Sequence, residues 1–175
     1  MVLVNFTFYT RNRKFGGDNL DTELVLKSGQ YVVFSINKQL CALAIEEVVE
    51  IIRVQTITEV PGIKDYISGM INLRGKIIPV IYLRKRYHMK AEPFTKKNRI
   101  VIIEEDSEDI GLIVDEVVMV TYIEDLDLEP TLEMFNTLEK GCFKGFAKVK
   151  DRLVGILNKN KVLFPDLEMG VTHNE

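Results

Sequence analysis

Short β-branched runs separated by tight polar turns constrain this chain more than any other feature of its sequence. Tyr31-Val32-Val33-Phe34-Ser35-Ile36 has the aromatic and β-branched composition of a strand, Asn37-Lys38-Gln39 suits a turn, and Leu40-Cys41-Ala42-Leu43-Ala44 returns as a second strand. Met70 to Leu73, then Arg74-Gly75, then Lys76 to Leu83 reads as strand, tight turn, strand. Arg99 to Glu104 and Ile110 to Val114 flank the charged turn Asp106-Ser107-Glu108-Asp109, and Gly141 to Lys150 with Arg152 to Asn158 make a final pair. Many short strands with tight turns favour small closed barrels over a sandwich. The expected architecture is mainly β: two small barrels with a few short helices.

The helices are brief. Ile45, Val48, Val49 and Ile52 fall at i, i+3, i+4 and i+7, which predicts a helix over Ile45–Ile52, with strand as the alternative from Val48 onward because those residues are β-branched. Leu83 to His88 and Asn160 to Leu167 are predicted as short helical turns. Pro79 cannot donate to a ladder, which predicts an edge or a bulge there. Two strands followed by an acidic-apolar segment occur at Tyr31–Ile52 and again at Ile100–Val120, a weak internal similarity. The expected boundaries are an N-terminal arm at 1–28, one unit of two intertwined barrels at 29–168 and a polar tail at 169–175.

Composition excludes several classes of function. With 175 residues, 46% hydrophobic and 28% charged, the chain has the make-up of a folded globular protein. Its net charge of -3 argues against a phosphate-backbone partner, so no nucleic acid is expected. The cluster Arg84-Lys85-Arg86-Tyr87-His88 reads as a solubilising helix face. No run approaches the roughly 18 apolar residues of a membrane span, so a cytoplasmic protein without membrane insertion is expected. Cys41 and Cys142 lack metal spacing and read as small buried hydrophobes. His88 and His173 have no metal-spaced neighbours, and no phosphate-cradling glycine loop or nucleophile elbow is present. Adjacent carboxylates such as Glu46/Glu47 point apart. No set of catalytic roles assembles, so the reading is of a binding protein with no cofactor, no metal and no enzymatic activity. A small barrel binding an oligonucleotide or a small molecule is the alternative.

The stretch Tyr66-Ile67-Ser68-Gly69-Met70-Ile71-Asn72-Leu73-Arg74-Gly75-Lys76-Ile77-Ile78-Pro79-Val80 carries G-x-x-N-L-R-G-x-x-x-P-V, which resembles the signature of the CheW-like family. Gln30 to Phe34, Val48-Val49-Glu50-Ile51-Ile52 and Gly111-Leu112-Ile113-Val114-Asp115-Glu116-Val117 resemble further family segments. Tyr82 departs from the pattern, standing where aspartate is common. The resemblance implies two interlocked SH3-like five-stranded β-barrel subdomains with a groove between them. It also implies a non-catalytic adaptor of chemotaxis signal transduction, joining the cytoplasmic tip of chemoreceptors to the regulatory domain of the histidine kinase CheA in membrane-associated arrays.

By this resemblance Val48, Glu50, Ile51 and Gly69 lie towards the kinase contact, and Arg74, Ile100, Val101 and Val120 towards the receptor contact. The residue types fit a partner surface. Arg74 in a tight turn presents a rigid fork of donors suited to carboxylates. Glu50 puts one specifying charge in an apolar run. Gly69 permits close backbone approach or positive φ. Core packing explains Ile100, Val101 and Val120 almost as well.

Overall fold

A computed structural model describes residues 26–130 and 142–164. The N-terminal arm up to residue 25 and the tail at 169–175 lie outside the described residues, as do 131–141 and the end of the last expected helix.

Among the described residues eleven strands form two sheets. β1 (Gly29–Ile36) and β2 (Gln39–Ala44) are followed by a 3-10 turn at Ile45–Glu47 and by β3 (Val48–Arg53). β4 (Ile67–Leu73), β5 (Lys76–Tyr82) and a short helix α1 (Leu83–Arg86) come next. β6 (Arg99–Glu105), β7 (Glu108–Val114), β8 (Glu116–Ile123), a 3-10 turn at Asp125–Asp127 and β9 (Leu128–Pro130) follow. β10 (Phe143–Val149), β11 (Arg152–Leu157) and α2 (Lys159–Leu163) complete it. The sheets run β8-β1-β2-β11-β10-β9 and β3-β6-β7-β5-β4.

These orders show an exchange. The hairpin β1–β2 stays in the first sheet and sends its third strand, β3, to pair with β6 of the second. The hairpin β6–β7 sends β8 back to pair with β1. Each sheet then holds one parallel pair, β2 with β11 and β7 with β5. The two segments of weak internal similarity, Tyr31–Ile52 and Ile100–Val120, each supply a hairpin and the strand it sends across. The hairpins β4–β5 and β10–β11 also match in register: Ile67 opposite Ile81 and Gly69 opposite Val80 correspond to Phe143 opposite Leu157 and Gly145 opposite Ile156.

The sheets are interlocked and SH3-like but open, with six and five strands rather than two closed five-stranded barrels. In the second sheet the chain beyond β3 crosses to β4 through one isolated bridge between Thr58 and Met70, N···O 2.8 Å in both directions. A long way of closing that gap would need a strand that residues 54–60, broken by Val60-Pro61-Gly62, do not form.

Burial explains why β1 and β6 read as unbroken hydrophobic runs. Val32, Phe34 and Ile36 face a central core shared by both sheets, while Tyr31 and Val33 face the interior of the first. On β6, Val101 and Ile103 face the shared core and Ile100 and Ile102 the interior of the second sheet. Both strands are buried on two faces, so side-chain alternation cannot appear as polar alternation. Four two-residue turns, Asn37-Lys38, Arg74-Gly75, Asp106-Ser107 and Lys150-Asp151, hold both residues at positive φ. That left-handed pair matches the twist of the flanking strands.

Two expectations are corrected. The helix over Ile45–Ile52 is a 3-10 turn at Ile45–Glu47 followed by strand β3. Its i, i+3, i+4 pattern was a coincidence of a strand interrupted by a bulge, where Val48 faces Ile103 and Glu50 faces Ile102. Pro79 lies on an interior strand rather than an edge, beside the β4–β5 bulge between Ile67 and Gly69, so of the two expected places the bulge holds and the edge does not. Its partner Met70 turns both backbone groups to Thr58, and pairing of β5 with β7 begins only at Val80, so no ladder bond needs the N–H that proline lacks.

Candidate functional site

The family-like hairpin β4–β5 and strand β3 build one exposed surface. Arg74 has φ 53° and Gly75 φ 88°. The Gly75 N–H donates to Asn72 Oδ1 at 2.9 Å, so Asn72 caps the turn. The turn lifts the Arg74 side chain across to β3, where Nη2 lies 2.9 Å from Glu50 Oε2. The arginine side chain is 78% exposed and the glutamate 25%. Val49 and Ile51 are exposed on the same strand, and Ile77 is exposed just beyond the turn. Gln55 Nε2 donates to the Asn72 carbonyl at 3.3 Å, tying the segment after β3 to the same hairpin.

Gly69 anchors the other end of β4. It sits at a bulge with φ 136°, and a Cβ there would lie 2.2 Å from the Thr58 carbonyl oxygen. Only glycine lets Thr58 and Met70 exchange their backbone bonds.

A second exposed apolar stripe lies on β8. Val118, Val120 and Tyr122 point outward, with Tyr122 57% exposed. β8 has its own bulge, Val33 facing Met119 and Phe34 facing Val117, in the position that Val49 occupies on β3. Leu153, exposed beyond the β10–β11 turn, corresponds to Ile77.

Between the sheets sits a polar joint. Arg84 Nε and Nη2 donate to Asp115 Oδ1 and Oδ2, both at 2.7 Å, and Asp115 Oδ2 also accepts the Asn37 N–H at 2.7 Å. The hydrogen bonds that Arg84 donates to Asp115 push the Arg84 pKa further up. Arg86 is buried and donates to the Val162 and Lys161 carbonyls of α2 at 2.8 and 2.7 Å. The basic cluster read as a solubilising helix face is therefore in part an internal joint, because its two arginines are turned inward.

The sequence-derived residues sort as follows. Glu50 and Arg74, expected at different contacts, form one ion pair. Ile51 is exposed on the same strand, and Val48 packs half-buried against the shared core. Gly69 is buried and shapes the hairpin without offering surface. Ile100 and Val101 are both 0% exposed, so a receptor contact through their side chains is not carried forward; β6 is covered on both faces. Val120 is exposed, on the other sheet. Val49, Ile77, Val118 and Tyr122 were missed. Bulges shift which residues of β3 and β8 face outward, a signal visible only in register. Cys41 is buried, which pushes its thiol up to about 12 and makes it inert at neutral pH. Among the described residues no group of His, Cys, Asp and Glu is placed to hold a metal ion.

An exchange of third strands between two SH3-like sheets, carrying G-x-x-N-L-R-G on one exposed hairpin, decides the family, and the CheW-like domain family matches residues 30–164. The chain belongs to the CheW-like family. It is 34% identical to the chemotaxis protein CheW of Bacillus subtilis over 79% of this chain and 89% of that one. It is 30% identical to the CheW of Helicobacter pylori over 86% and 89%. Among solved structures, the scaffolding protein TtCheW from Thermoanaerobacter tengcongensis matches with a TM-score of 0.72 and 36% identity, covering 77% of this chain and 92% of that one.

Proposed function

We propose that this chain is a non-catalytic scaffold of chemotaxis signalling that couples chemoreceptors to the histidine kinase CheA. The Glu50–Arg74 pair, on a strand that also exposes Val49 and Ile51, carries the reading. An oriented charge pair on an element that also exposes apolar side chains has the composition of a protein contact. Its CheW relatives are chemotaxis proteins, and its structural neighbour is a scaffolding protein.

In this reading the β3 face, with Val48 beneath it, meets the CheW-like regulatory domain of the kinase. Arg74 acts there by orienting Glu50 and contacting the partner. The β8 stripe around Val120 meets the cytoplasmic tip of a receptor coiled coil. The chain works in the cytoplasm at receptor arrays; no described helix is long and apolar enough to cross a membrane. Each contact is small, below about 1,200 Å². Avidity across many copies supplies assembly strength, and coupling follows if receptor state changes the affinity for the kinase.

Calorimetric titration against the regulatory domain of the cognate CheA tests the proposal. Saturable one-to-one binding that is lost in Glu50→Lys is the expected outcome. No heat at tens of micromolar with folded protein would overturn it.

A further inference from the structure

The first sheet ends on a strand with an open side. Among the described residues β8 is paired with β1 alone, so its other edge turns backbone N–H and C=O groups away from the sheet. Val118, Val120 and Tyr122 stand exposed at alternate positions along it, on one face. A long, apolar, unpaired edge is a template for a further strand, and folded proteins cover or blunt such edges. Nothing on β8 blunts it: Val117 to Ile123 carry neither a charge nor a proline. The other outer strands differ. β4 takes the Thr58 bridge at Met70, β9 is three residues long and ends at Pro130, and β3 carries Glu50 and Arg53. Directly beyond β8 the chain turns acidic: Glu124, Asp125, Asp127 and Glu129 are exposed, with no lysine or arginine between them.

A matching segment precedes β1. Val2-Leu3-Val4-Asn5-Phe6-Thr7-Phe8-Tyr9, outside the described residues, has the aromatic and β-branched composition of a strand and, at 8 residues, the length of β8. In an extended chain Val2, Val4, Phe6 and Phe8 fall on one face, and all are apolar. Arg11-Asn12-Arg13-Lys14 follows at once. Both segments therefore run from apolar to charged, with opposite signs at the charged end. The point of attachment fits this order. Gly29 stands opposite Ile123, and the Ser28 N–H donates to Asp125 Oδ1 at 2.9 Å, so the chain enters β1 at the acidic end of β8. Residues 15–25 can span up to about 36 Å. A strand placed outside β8 lies only about 10 Å from β1, two strand spacings away.

We propose that residues 2–9 pair in parallel with the open edge of β8 of the same molecule, with Val4, Phe6 and Phe8 beside Val118, Val120 and Tyr122, and with Arg11, Arg13 and Lys14 facing Glu124, Asp125 and Asp127. The chain then crosses the end of β8 and returns antiparallel to it as β1. Main-chain bonds supply the affinity of such an added strand, and aromatic pairs with β-branched neighbours and opposite charges fix its register. Because the segment is tethered at the same end of β8, its high effective concentration lets a weak pairing hold. One consequence rests on the reading of the β8 stripe as the receptor face. A receptor tip then meets its site only in molecules whose arm has left β8, so the arm lowers receptor affinity by the undocked fraction.

Amide hydrogen exchange read by NMR on the full chain, across a range of protein concentrations, tests the contact. The β8 amides that β1 does not bind should exchange at least about tenfold more slowly in wild type than in Phe6→Ser/Phe8→Ser, while the amides of β6 keep their protection in both. Arg11→Glu/Arg13→Glu should lose part of the β8 protection, and adding Glu124→Lys/Asp127→Lys should restore it. Rapid exchange of those β8 amides in wild type overturns the proposal. So does protection that the serine variant keeps, or arm-dependent protection that falls on β3 or β4 instead. Protection that grows with protein concentration would seat the arm on another molecule and overturn it too. Calorimetric titration with a receptor-tip fragment separates the docked arm from the coupling role. Phe6→Ser/Phe8→Ser should bind that fragment at least about threefold more tightly than wild type. Slow β8 exchange with unchanged receptor affinity supports the docked arm and removes the β8 stripe from the receptor contact.

Discussion

The two exchanged strands, β3 and β8, hold equivalent places in the two halves and present different chemistry. Each leaves its own hairpin to pair with the first strand of the other, and each bulges early. Outward from β3 stand Val49, Ile51 and Arg53, with Glu50 turned to meet Arg74 from the neighbouring turn. Outward from β8 stand Val118, Val120 and Tyr122, and the residue corresponding to Glu50 is Met119. The turn corresponding to Arg74-Gly75 is Lys150-Asp151, whose aspartate pairs with Lys148 at 3.1 Å rather than reaching β8. A repeated fold therefore supplies two similar platforms. A single charge pair makes one of them directional, while the other is an apolar stripe, and two unlike partners can be told apart on one small protein.

The comparison breaks most readily at the bulge glycine. Gly69→Ala places a methyl group against the Thr58 carbonyl at a φ that disfavours any side chain, and should cost about 3 kcal/mol or more in urea unfolding. Gly75→Ala, at positive φ but with open space around it, should cost only about 1 kcal/mol. Equal losses would mean that backbone conformation, not the approach of Thr58, makes Gly69 necessary. The joint between the halves comes next. Asp115→Ala takes the carboxylate from an Arg84 side chain that is only 15% exposed, and should destabilise by about 2 kcal/mol in the same measurement.

Binding sharpens the contrast without unfolding either half. Glu50→Lys should weaken kinase-domain binding at least tenfold, about 1.4 kcal/mol, by calorimetry. Glu50→Lys with Arg74→Glu should recover part of it, and Val120→Ser/Tyr122→Ser should leave it within about twofold. If the β8 variant weakens kinase binding as much as Glu50→Lys does, the two faces do not serve different partners. Arg74→Ala should unfold within about 1 kcal/mol of wild type, since its ion pair is largely exposed, yet lose coupling. The smallest effect is at Cys41. Its thiol ionises near 9 when free and near 12 in the fold, so its contribution is full below about pH 9 and is lost as pH rises towards 12. Reaction with a thiol reagent at pH 8 should await unfolding.

Much of the fold was legible. The strand pairs, the tight turns and the helical turn after Tyr82 follow from β-branched runs, polar dipeptides and local periodicity, and the structure places all of them. Glu50 and Arg74 stood out as charges where neighbours are apolar or tightly turned. Local pattern could not show that they touch, because 24 residues separate them and only the crossing of β3 towards β4 brings them together. It could not separate Ile100 and Val101 from surface residues, since a strand buried on both faces has the composition of an apolar contact.

By itself the sequence determined that this chain is mainly β, built of short strands on two-residue turns, with a glycine- and arginine-bearing hairpin of CheW-like type. Tertiary structure decided the rest. It chose which strands leave their hairpins, so that β3 and β8 each complete the other half's sheet. It set the bulges that turn Val49 and Val118 outward, and it joined Glu50 to Arg74. Backbone propensity acts over a few residues, whereas strand exchange is settled by the shared core of Phe34, Val101, Leu112 and Leu157, which forms only when both halves are present.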